Sequence, residues 1–563
     1  MLRLALALVI LILLGSAVFI RKDYQDTWVL EGLEVPFALF VLTYVMAFFS
    51  EKRVSWMIAL AVIGRIVFLL VPNLKYVWFQ GPWMDQQVQY ALANHVVNQG
   101  HIVHGVEVFG GKIYADTPVI HLAFSTFSMI LNIPVMEAIK YLPVLLSSLY
   151  PLLTYVVINR TKLPLGIWKY ALFVSSMPLD PGQYLVSGQM FGALLVFLIL
   201  SCLAILFHKN DRRFLSMLII LTIVLAATHS SSSVLLTTSF LIVMLLQKFH
   251  RFRIDLGVRS SLIFTIAIVC VTWLTFPASF TFDAILAVFA VRVPAGITPR
   301  SGAIPERFFE LARVDVFSAI RTLLIEYGAS IWLLLMTLVG LLALLRYRKQ
   351  ANKVTAFLSI YVMSVFAFMV VGLLLKVGAF RPLFLMSLVF PIFSAIFILH
   401  TSGEKKWISR VALGVMLFLT IFQLYSYQPL VPSANVLFSD LPAAEPLFHV
   451  TNVNSIYQRH MIFFARDNII NGRIACDRIT RSQILGFAGF EFWVSHVIEY
   501  YPIDKNQPRR AYDFFLIHLP GVSGRFQEPV ETRTKGLILG TIYNTSVIYT
   551  NGESYVLTDS QIT

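Results

Sequence analysis

Charged residues and cysteines are scarce in this chain of 563 residues. Only 13% of the residues are charged, whereas 58% are hydrophobic, and a water-soluble domain does not carry so much apolar surface. Burial in a bilayer is therefore indicated. The three cysteines, Cys202, Cys270 and Cys476, lie far apart, which excludes a disulfide framework and a cysteine-based metal site. The net charge of +14 comes from short basic clusters at the ends of apolar runs, which are topology signals rather than a nucleic-acid-binding surface.

Apolar runs of nearly membrane length recur along the chain, since about 20 residues of helix cross about 30 Å of hydrocarbon. When the N-terminus is placed in the cytoplasm, the basic clusters of alternate loops all fall on the cytoplasmic side, as the positive-inside rule requires. The first run has no small-residue cleavage site before Arg21, which favours an uncleaved helix over a signal peptide. We expect about thirteen transmembrane helices, at residues 4–20, 34–49, 54–72, 136–158, 165–178, 187–207, 214–228, 231–248, 260–278, 328–346, 355–376, 381–400 and 408–427.

This topology divides the chain into three parts. Residues 1–53 form two N-terminal helices, residues 54–427 form the main transmembrane domain, and residues 428–563 form an extracytoplasmic C-terminal domain. Two long loops of the transmembrane domain, 73–135 and 279–327, fall on the same outer face as this tail. Loops are where binding and catalytic residues concentrate, so we expect the functional site on the outer face.

The tail differs in composition from the rest of the chain. Short runs at 473–476, 514–518 and 546–550 resemble strands, and turn signals such as Pro520-Gly521 and Asn551-Gly552 separate such runs. The tail is therefore predicted to be a small domain of α/β or mostly β structure.

The first outer loop places one acidic residue, Asp85, just beyond a membrane helix and among aromatic residues. After it, Val88, Leu92 and Val96 recur with helical spacing, and Gly100 is a stop signal. We predict a short amphipathic helix on the bilayer surface, with Asp85 as its N-cap at the membrane exit. The alternative is that Asp85 acts only as this cap.

A second element of the loop is the segment from Tyr114 to His121, which contains Asp116 and Pro118. Proline is well suited to the first position of a helix, so a helix is predicted over 118–132. A full membrane span here would reverse the charge pattern of every later loop. We therefore interpret 118–132 as a second juxtamembrane helix.

Residues 54–280 resemble the GT-C superfamily of membrane glycosyltransferases, and are closest to its less-studied microbial members. The resemblance consists of the acidic residue after the first core helix, the surface helices, the Tyr-x-x-x-Pro-x-x-His element from Tyr114 to His121, and the helix that follows. It implies an α-helical polytopic fold and sugar transfer from a polyprenyl-phosphate donor. The tail has no match to the Trp-Trp-Asp signature of the oligosaccharyltransferase branch, so transfer of a whole oligosaccharide to asparagine is not implied.

This chemistry needs a base for the acceptor hydroxyl and groups that stabilise the phosphate. Asp85 is the candidate base, because a carboxylate in a partly dry aromatic site is expected to have a raised pKa. Asp116 is a second catalytic candidate that assists Asp85 or binds a metal, unless it only forms a turn. Asp180 lies where some GT-C enzymes carry a second acidic motif, although an Asp-Pro-Gly turn also explains it. His229, beside serines that can cap a helix, would lie near the donor head group.

Cations on the outer face are candidates for the donor phosphate, because they run against the positive-inside bias and arginine can bind phosphate with two parallel hydrogen bonds. Snorkelling at the interface is the alternative. The resemblance also assigns Tyr114 and His121 to substrate binding. The cationic candidates are Lys376, Arg381, Arg292, Arg300 and Arg307.

The sequence thus predicts an enzyme that transfers a sugar from a polyprenyl-phosphate donor to a glycan, lipid or protein acceptor on the outer face. A transporter, flippase or polymerase of lipid-linked glycans is the alternative, but transporters place ionisable residues at mid-membrane, whereas these acids cluster at loop junctions. A divalent metal is compatible with Asp85, Asp180 and His229, although their spacing matches no metal motif. Membrane lipids are expected partners, and nucleic acid is not.

Overall fold

The structure is a computed structural model of the whole chain. It is predominantly helical. It describes residues 34–49, 54–75, 84–102, 117–161, 167–177, 188–209, 212–248, 260–275, 277–278, 316–346, 353–375, 388–404, 406–427, 456–470, 472–476, 484, 488, 497–500, 513–518, 546–550 and 554–558.

The described residues up to Tyr427 include fourteen helices, and one further helix precedes the first strand. In chain order they are α1 Glu34–Phe49, α2 Val54–Lys75, α3 Met84–Gln99, α4 Val119–Leu131, α5 Val135–Ile158, α6 Ile167–Ser176, α7 Gly188–Lys209, α8 Arg212–Ala226, α9 Ser230–Lys248, α10 Ser260–Thr275, α11 Val316–Arg346, α12 Lys353–Leu375, α13 Phe390–Glu404, α14 Lys406–Tyr427 and α15 Ile456–Asn468.

The chain divides into two compact units. The first contains residues 1–75, 116–120 and 140–427, and the second contains residues 76–115, 121–139 and 428–563. In the first unit, α6 packs against α1, α2 and α13, and α11 packs against α13 and α14. The short helix α6 is therefore surrounded by other helices, and its last six residues are all buried.

A glycine allows a close contact between two helices of the first unit. A Cβ atom added to Gly340 of α11 would lie directly on the carbonyl oxygen of Phe393 in α13. Helices in a bilayer gain little from hydrophobic burial against each other, so close backbone approach at small residues is a main source of their association. Gly340 thus permits the packing of α11 on α13.

Most predicted apolar runs are helices with nearly the predicted bounds, but two differ. The run predicted to start at residue 328 belongs to α11, which already begins at Val316. In the run predicted at 381–400, the described helix begins at Phe390 and continues to Glu404. Within the described residues, two helices, Val135–Ile158 and Gly188–Phe207, are long and apolar enough to cross a membrane. Nine shorter apolar helices accompany them. The predicted run at 4–20 lies outside the described residues.

The tail contains a five-stranded mixed sheet in the order β2-β1-β3-β5-β4. Its strands are β1 Arg473–Cys476, β2 Val497–Tyr500, β3 Phe514–His518, β4 Ser546–Thr550 and β5 Ser554–Thr558. β1 pairs in parallel with β2 and β3, whereas β5 pairs antiparallel with β3 and β4. Helix α15 packs on this sheet. The three strands that the sequence predicts are confirmed, within a sheet that combines parallel and antiparallel pairs.

Candidate functional site

The link between α8 and α9 is a tight turn centred on His229. The His229 amide donates to Leu225 O at 2.9 Å, and the His229 carbonyl accepts from the Ser233 amide at 3.2 Å. The ring is fixed as well, because His229 Nδ1 lies 2.7 Å from Ser232 Oγ. Since serine side chains at a helix start satisfy local polar groups, this sequence folds into a rigid turn with an oriented, half-buried imidazole.

The first turn of α7 lies against this histidine. A Cβ atom added to Gly192 would lie 2.8 Å from His229 Cβ and 2.8 Å from Ser232 Oγ. Real Cβ atoms essentially never show contacts that short. Glycine at position 192 is therefore required for the observed approach of α7 to the His229 turn.

The start of α4 also lies near the His229 turn. A Cβ atom added to Gly188 would lie 3.2 Å from His229 Cδ2 and 3.4 Å from Ile120 Cδ1. Three elements thus converge at one end of the first unit: the segment that starts α4, the first residue of α7 and the His229 turn. The charge pattern of the sequence predicts that this end is the outer one. The structure thus brings His229 near the Tyr-x-x-x-Pro-x-x-His element that the resemblance singles out. The residue of that element found beside it is Ile120.

His121 itself belongs to the second unit. It is 1% exposed, and its carbonyl accepts a hydrogen bond of 2.6 Å from Ser125 Oγ, which also lies 2.9 Å from the carbonyl of Ala93 in α3. The predicted helix 118–132 is confirmed as α4, except that Pro118 lies in the turn before its first residue, Val119. Residues Tyr114 and Asp116 lie outside the described residues.

Helix α3 has the predicted buried face. Val88, Leu92 and Val96 are all buried, and Gly100 ends the helix with φ of +74°, a conformation that favours glycine. The prediction that Asp85 is the N-cap is wrong, because α3 already begins at Met84. Asp85 is the second residue of the helix, where a carboxylate interacts favourably with the helix dipole instead of capping the end.

Gln89 is a residue that the sequence patterns did not single out. It lies one turn after Asp85 on α3, and residues four apart share a helix face. Its side chain is fully buried, and neither Oε1 nor Nε2 has a hydrogen-bond partner within the part of the chain that the structure describes. Such groups are rare in native proteins and are usually explained by strain, water or a ligand.

Arg65 of α2 was also missed, because it appears in the sequence as a single cation inside an apolar run. Its side chain is 1% exposed. Nη1 donates to the carbonyls of Ser175 at 2.8 Å and Met177 at 3.3 Å, and Nη2 donates to Ser147 Oγ at 2.9 Å. The acceptors are 82 to 112 residues away in sequence, so no local signal identifies them.

The other predicted site residues cannot be placed. For Asp85 the backbone alone is described. Among the described residues, no group of three or more His, Cys, Asp and Glu side chains could hold a metal ion. The candidates that lie outside the described residues are Tyr114, Asp116, Asp180, Arg292, Arg300, Arg307, Lys376 and Arg381.

The fold is similar to solved membrane glycosyltransferases of the GT-C superfamily. Archaeal oligosaccharyltransferase AglB from Archaeoglobus fulgidus, in complex with an inhibitory peptide and a dolichol-phosphate, matches with a TM-score of 0.52 and 10% identity. The apo oligosaccharyltransferase of that organism matches with a TM-score of 0.53 and 11% identity. Both alignments cover 91% of this chain and 75% of the other.

ArnT from Cupriavidus metallidurans, bound to undecaprenyl phosphate, matches with a TM-score of 0.50 and 11% identity, over 90% of this chain and 98% of ArnT. At such identities the likeness shows a shared fold. The GT-C resemblance predicted from the sequence is therefore confirmed at the level of fold. No family model and no curated protein matches the chain.

Proposed function

We propose that this protein is a membrane glycosyltransferase, which transfers a sugar from a polyprenyl-phosphate donor to an acceptor on the extracytoplasmic face. The observation that carries the proposal is the convergence of the α4 start, the α7 start and the His229 turn, in a chain with the GT-C fold over about nine-tenths of its length. AglB and ArnT were solved with dolichol-phosphate and undecaprenyl phosphate, which supports a lipid-phosphate-linked donor.

Asp85 is the proposed base that takes the proton of the acceptor hydroxyl, and Asp116 assists it. The position of Asp85 at the start of α3 supports this role, because the helix holds the residue at a defined place. His229 contacts the donor head group, and its bond to Ser232 fixes the ring for this purpose. A positioned base typically contributes a factor of about 10² to 10⁴ to the rate.

The donor phosphate is assigned to the cations of the outer segments, with Lys376 and Arg381 first and Arg292 and Arg300 next. Tyr114 and His121 belong to the substrate-binding surface, and Asp180 is the residue for a divalent metal if one takes part. Arginine suits this task because its planar fork matches phosphate oxygens.

One consequence is that the first outer loop and the tail lie on the same side of the membrane. Residues 76–115 and the tail belong to one compact unit, which supports this placement. Single cysteines at Gln99 and at Ile470, both exposed, should react with an impermeant thiol reagent from the same side. Reaction from opposite sides would separate the loop from the tail and contradict the proposed site.

The function is tested with the purified full chain in detergent and radiolabelled polyprenyl-phosphate sugars. Asp85→Asn keeps the size of the side chain but cannot accept a proton at neutral pH. We expect turnover to fall by about 10²-fold or more, with donor binding and thermal melting preserved. Asp467→Asn is the matched control, because Asp467 is an exposed acid of α15.

Three results would contradict the proposal. If the wild-type protein consumes none of the donors, the glycosyltransferase function is rejected. If Asp85→Asn folds and transfers sugar at the wild-type rate, Asp85 is not the base. Movement of intact donor lipid across a vesicle bilayer without a glycosylated product would instead indicate a transporter or flippase of lipid-linked glycans.

A further inference from the structure

Arg65 forms the C-terminal cap of the short helix α6. The last four carbonyls of an α-helix have no partner within the helix, and two carbonyls at this end, those of Ser175 and Met177, accept hydrogen bonds from Arg65 Nη1. A cation at a helix C-terminus also interacts favourably with the helix dipole. The guanidinium therefore satisfies the end of α6 both by hydrogen bonds and by charge.

The length of α6 makes this cap necessary. The helix has 10 residues, which rise about 15 Å at 1.5 Å per residue, only half of the about 30 Å of a hydrocarbon core. Its end is also enclosed by protein, because Ser176 and Met177 are 0% and 1% exposed. Carbonyls at such a place cannot be satisfied by bulk water, so the protein must supply a donor.

Arg65 is held rigidly in this position by other helices. Its Nη2 donates to Ser147 Oγ of α5 at 2.9 Å, and its guanidinium carbon lies 5.0 Å from the centroid of the Tyr150 ring. Stacking on an aromatic face stabilises an arginine when the pair is desolvated. The side chain thus connects α2, α5 and the end of α6.

A small cavity adjoins this junction. It has a volume of about 10 Å³ and is lined by Arg65, Tyr150, Thr154 and Ser175, together with Phe390 at the start of α13. Thr154 Oγ1 is buried and has no hydrogen-bond partner among the described residues. A polar cavity of this size can hold one water molecule.

We propose that Arg65 is a positioning residue for the transfer reaction. Arg65 caps α6 and holds the Tyr150 ring, whose centroid lies 5.8 Å from that of the Phe197 ring in α7. It thereby fixes α7, whose start adjoins the His229 turn. This role rests on the proposed function, in which the outer segments around α7 contact the donor. Arg65 acts by fixing the packing of the helices and not on the substrate itself.

The test compares Arg65→Met, Arg65→Lys and the wild-type full chain in detergent. Removal of a donor leaves its buried acceptors unsatisfied, which lowers stability, so Arg65→Met is expected to fold but to melt at a lower temperature than the wild type. Arg410→Met is the matched control, because Arg410 of α14 is an exposed arginine. Three quantities are measured: the melting temperature, amide hydrogen exchange over residues 172–177, and kcat and KM for the donor.

In Arg65→Met, exchange at the end of α6 should become about tenfold faster or more, since two charge-assisted hydrogen bonds are lost. The kcat should fall by about tenfold or more while KM for the donor is unchanged, because misplacement of a site lowers the rate of the chemical step. Arg65→Lys keeps the charge and should recover part of both quantities, whereas Arg410→Met should change neither.

Unchanged exchange at 172–177 in a folded Arg65→Met protein would overturn the cap, whatever the activity. Faster exchange with an unchanged kcat would overturn the positioning role. Should Arg65→Met fail to fold, Arg65→Gln decides, because its shorter, uncharged side chain cannot replace the charge-assisted hydrogen bonds to both carbonyls and Ser147. Wild-type exchange in a folded Arg65→Gln protein would overturn the cap. A wild-type protein that transfers no sugar would refute the proposed function, and the exchange measurement would still decide whether Arg65 caps α6.

Discussion

Gly192→Ala tests whether the position of the His229 turn matters for transfer. The new Cβ atom would lie 2.8 Å from His229 Cβ and from Ser232 Oγ, whereas ordinary contact begins at 3.4 Å. The turn must therefore move by about 0.6 Å, the difference between 3.4 and 2.8 Å. Since His229 Cβ is attached directly to the backbone, a rotamer change cannot remove this clash.

The expected effect on stability is modest. Overpacking of this kind destabilises a protein by about 1–3 kcal/mol, and the higher helix propensity of alanine offsets about 1 kcal/mol of this. A net loss of up to about 2 kcal/mol follows. The effect on the reaction should be larger, because a misplacement of about 1 Å can lower a rate by about 10²-fold. We expect the single-turnover rate to fall by about tenfold or more.

The assay combines thermal melting in detergent with single-turnover transfer from a labelled polyprenyl-phosphate sugar. Gly414→Ala is the matched control, because among the described residues its new Cβ atom would meet only Tyr44 Oη, at an ordinary 3.6 Å. It should leave the rate unchanged and keep or slightly raise the melting temperature. A folded Gly192→Ala protein with the wild-type rate would refute the assignment of His229 to the donor site.

Three further predictions follow from single residues. Gln89→Met should leave the free energy of unfolding unchanged or raise it by up to about 1–3 kcal/mol, the usual penalty for a buried amide without partners. Gln99→Met, at an exposed position of α3, should not raise it. A clear loss of stability in Gln89→Met would show that the Gln89 amide is hydrogen-bonded. Gly340→Ala should lower the stability by about 3 kcal/mol, because its Cβ meets the Phe393 carbonyl, and wild-type melting would contradict the packing of α11 on α13. Arg381→Ala should weaken donor binding, measured with labelled lipid, by about 1.5–3 kcal/mol; unchanged affinity would transfer the phosphate to Lys376.

Local patterns predicted most of the secondary structure. The run 34–49 is a helix with the predicted bounds, and the helix predicted at 54–72 continues for three more residues, to Lys75. A long, predominantly apolar run is enough to predict such a helix from composition. Gly100 ends α3 as predicted, since its positive φ is a backbone requirement that the residue type reveals. The apolar pattern did not predict the start of a helix that continues beyond its apolar part. Helix α11 already begins at Val316 and includes Arg321 and Glu326.

The composition, the periodicity and the charge pattern by themselves determined a helical chain suited to a bilayer, the bounds of most of its apolar elements and three of the five strands of its tail, because these depend on each segment and its immediate neighbours. The junction of Arg65 with Ser175 and Ser147, and the approach of Gly192 to His229, were decided only by the tertiary structure. Their partners are separated by many residues, and the packing of helices selects them. A lone arginine in an apolar run has the same local sequence whether it faces lipid or caps another helix, so only the fold could show which of these Arg65 does.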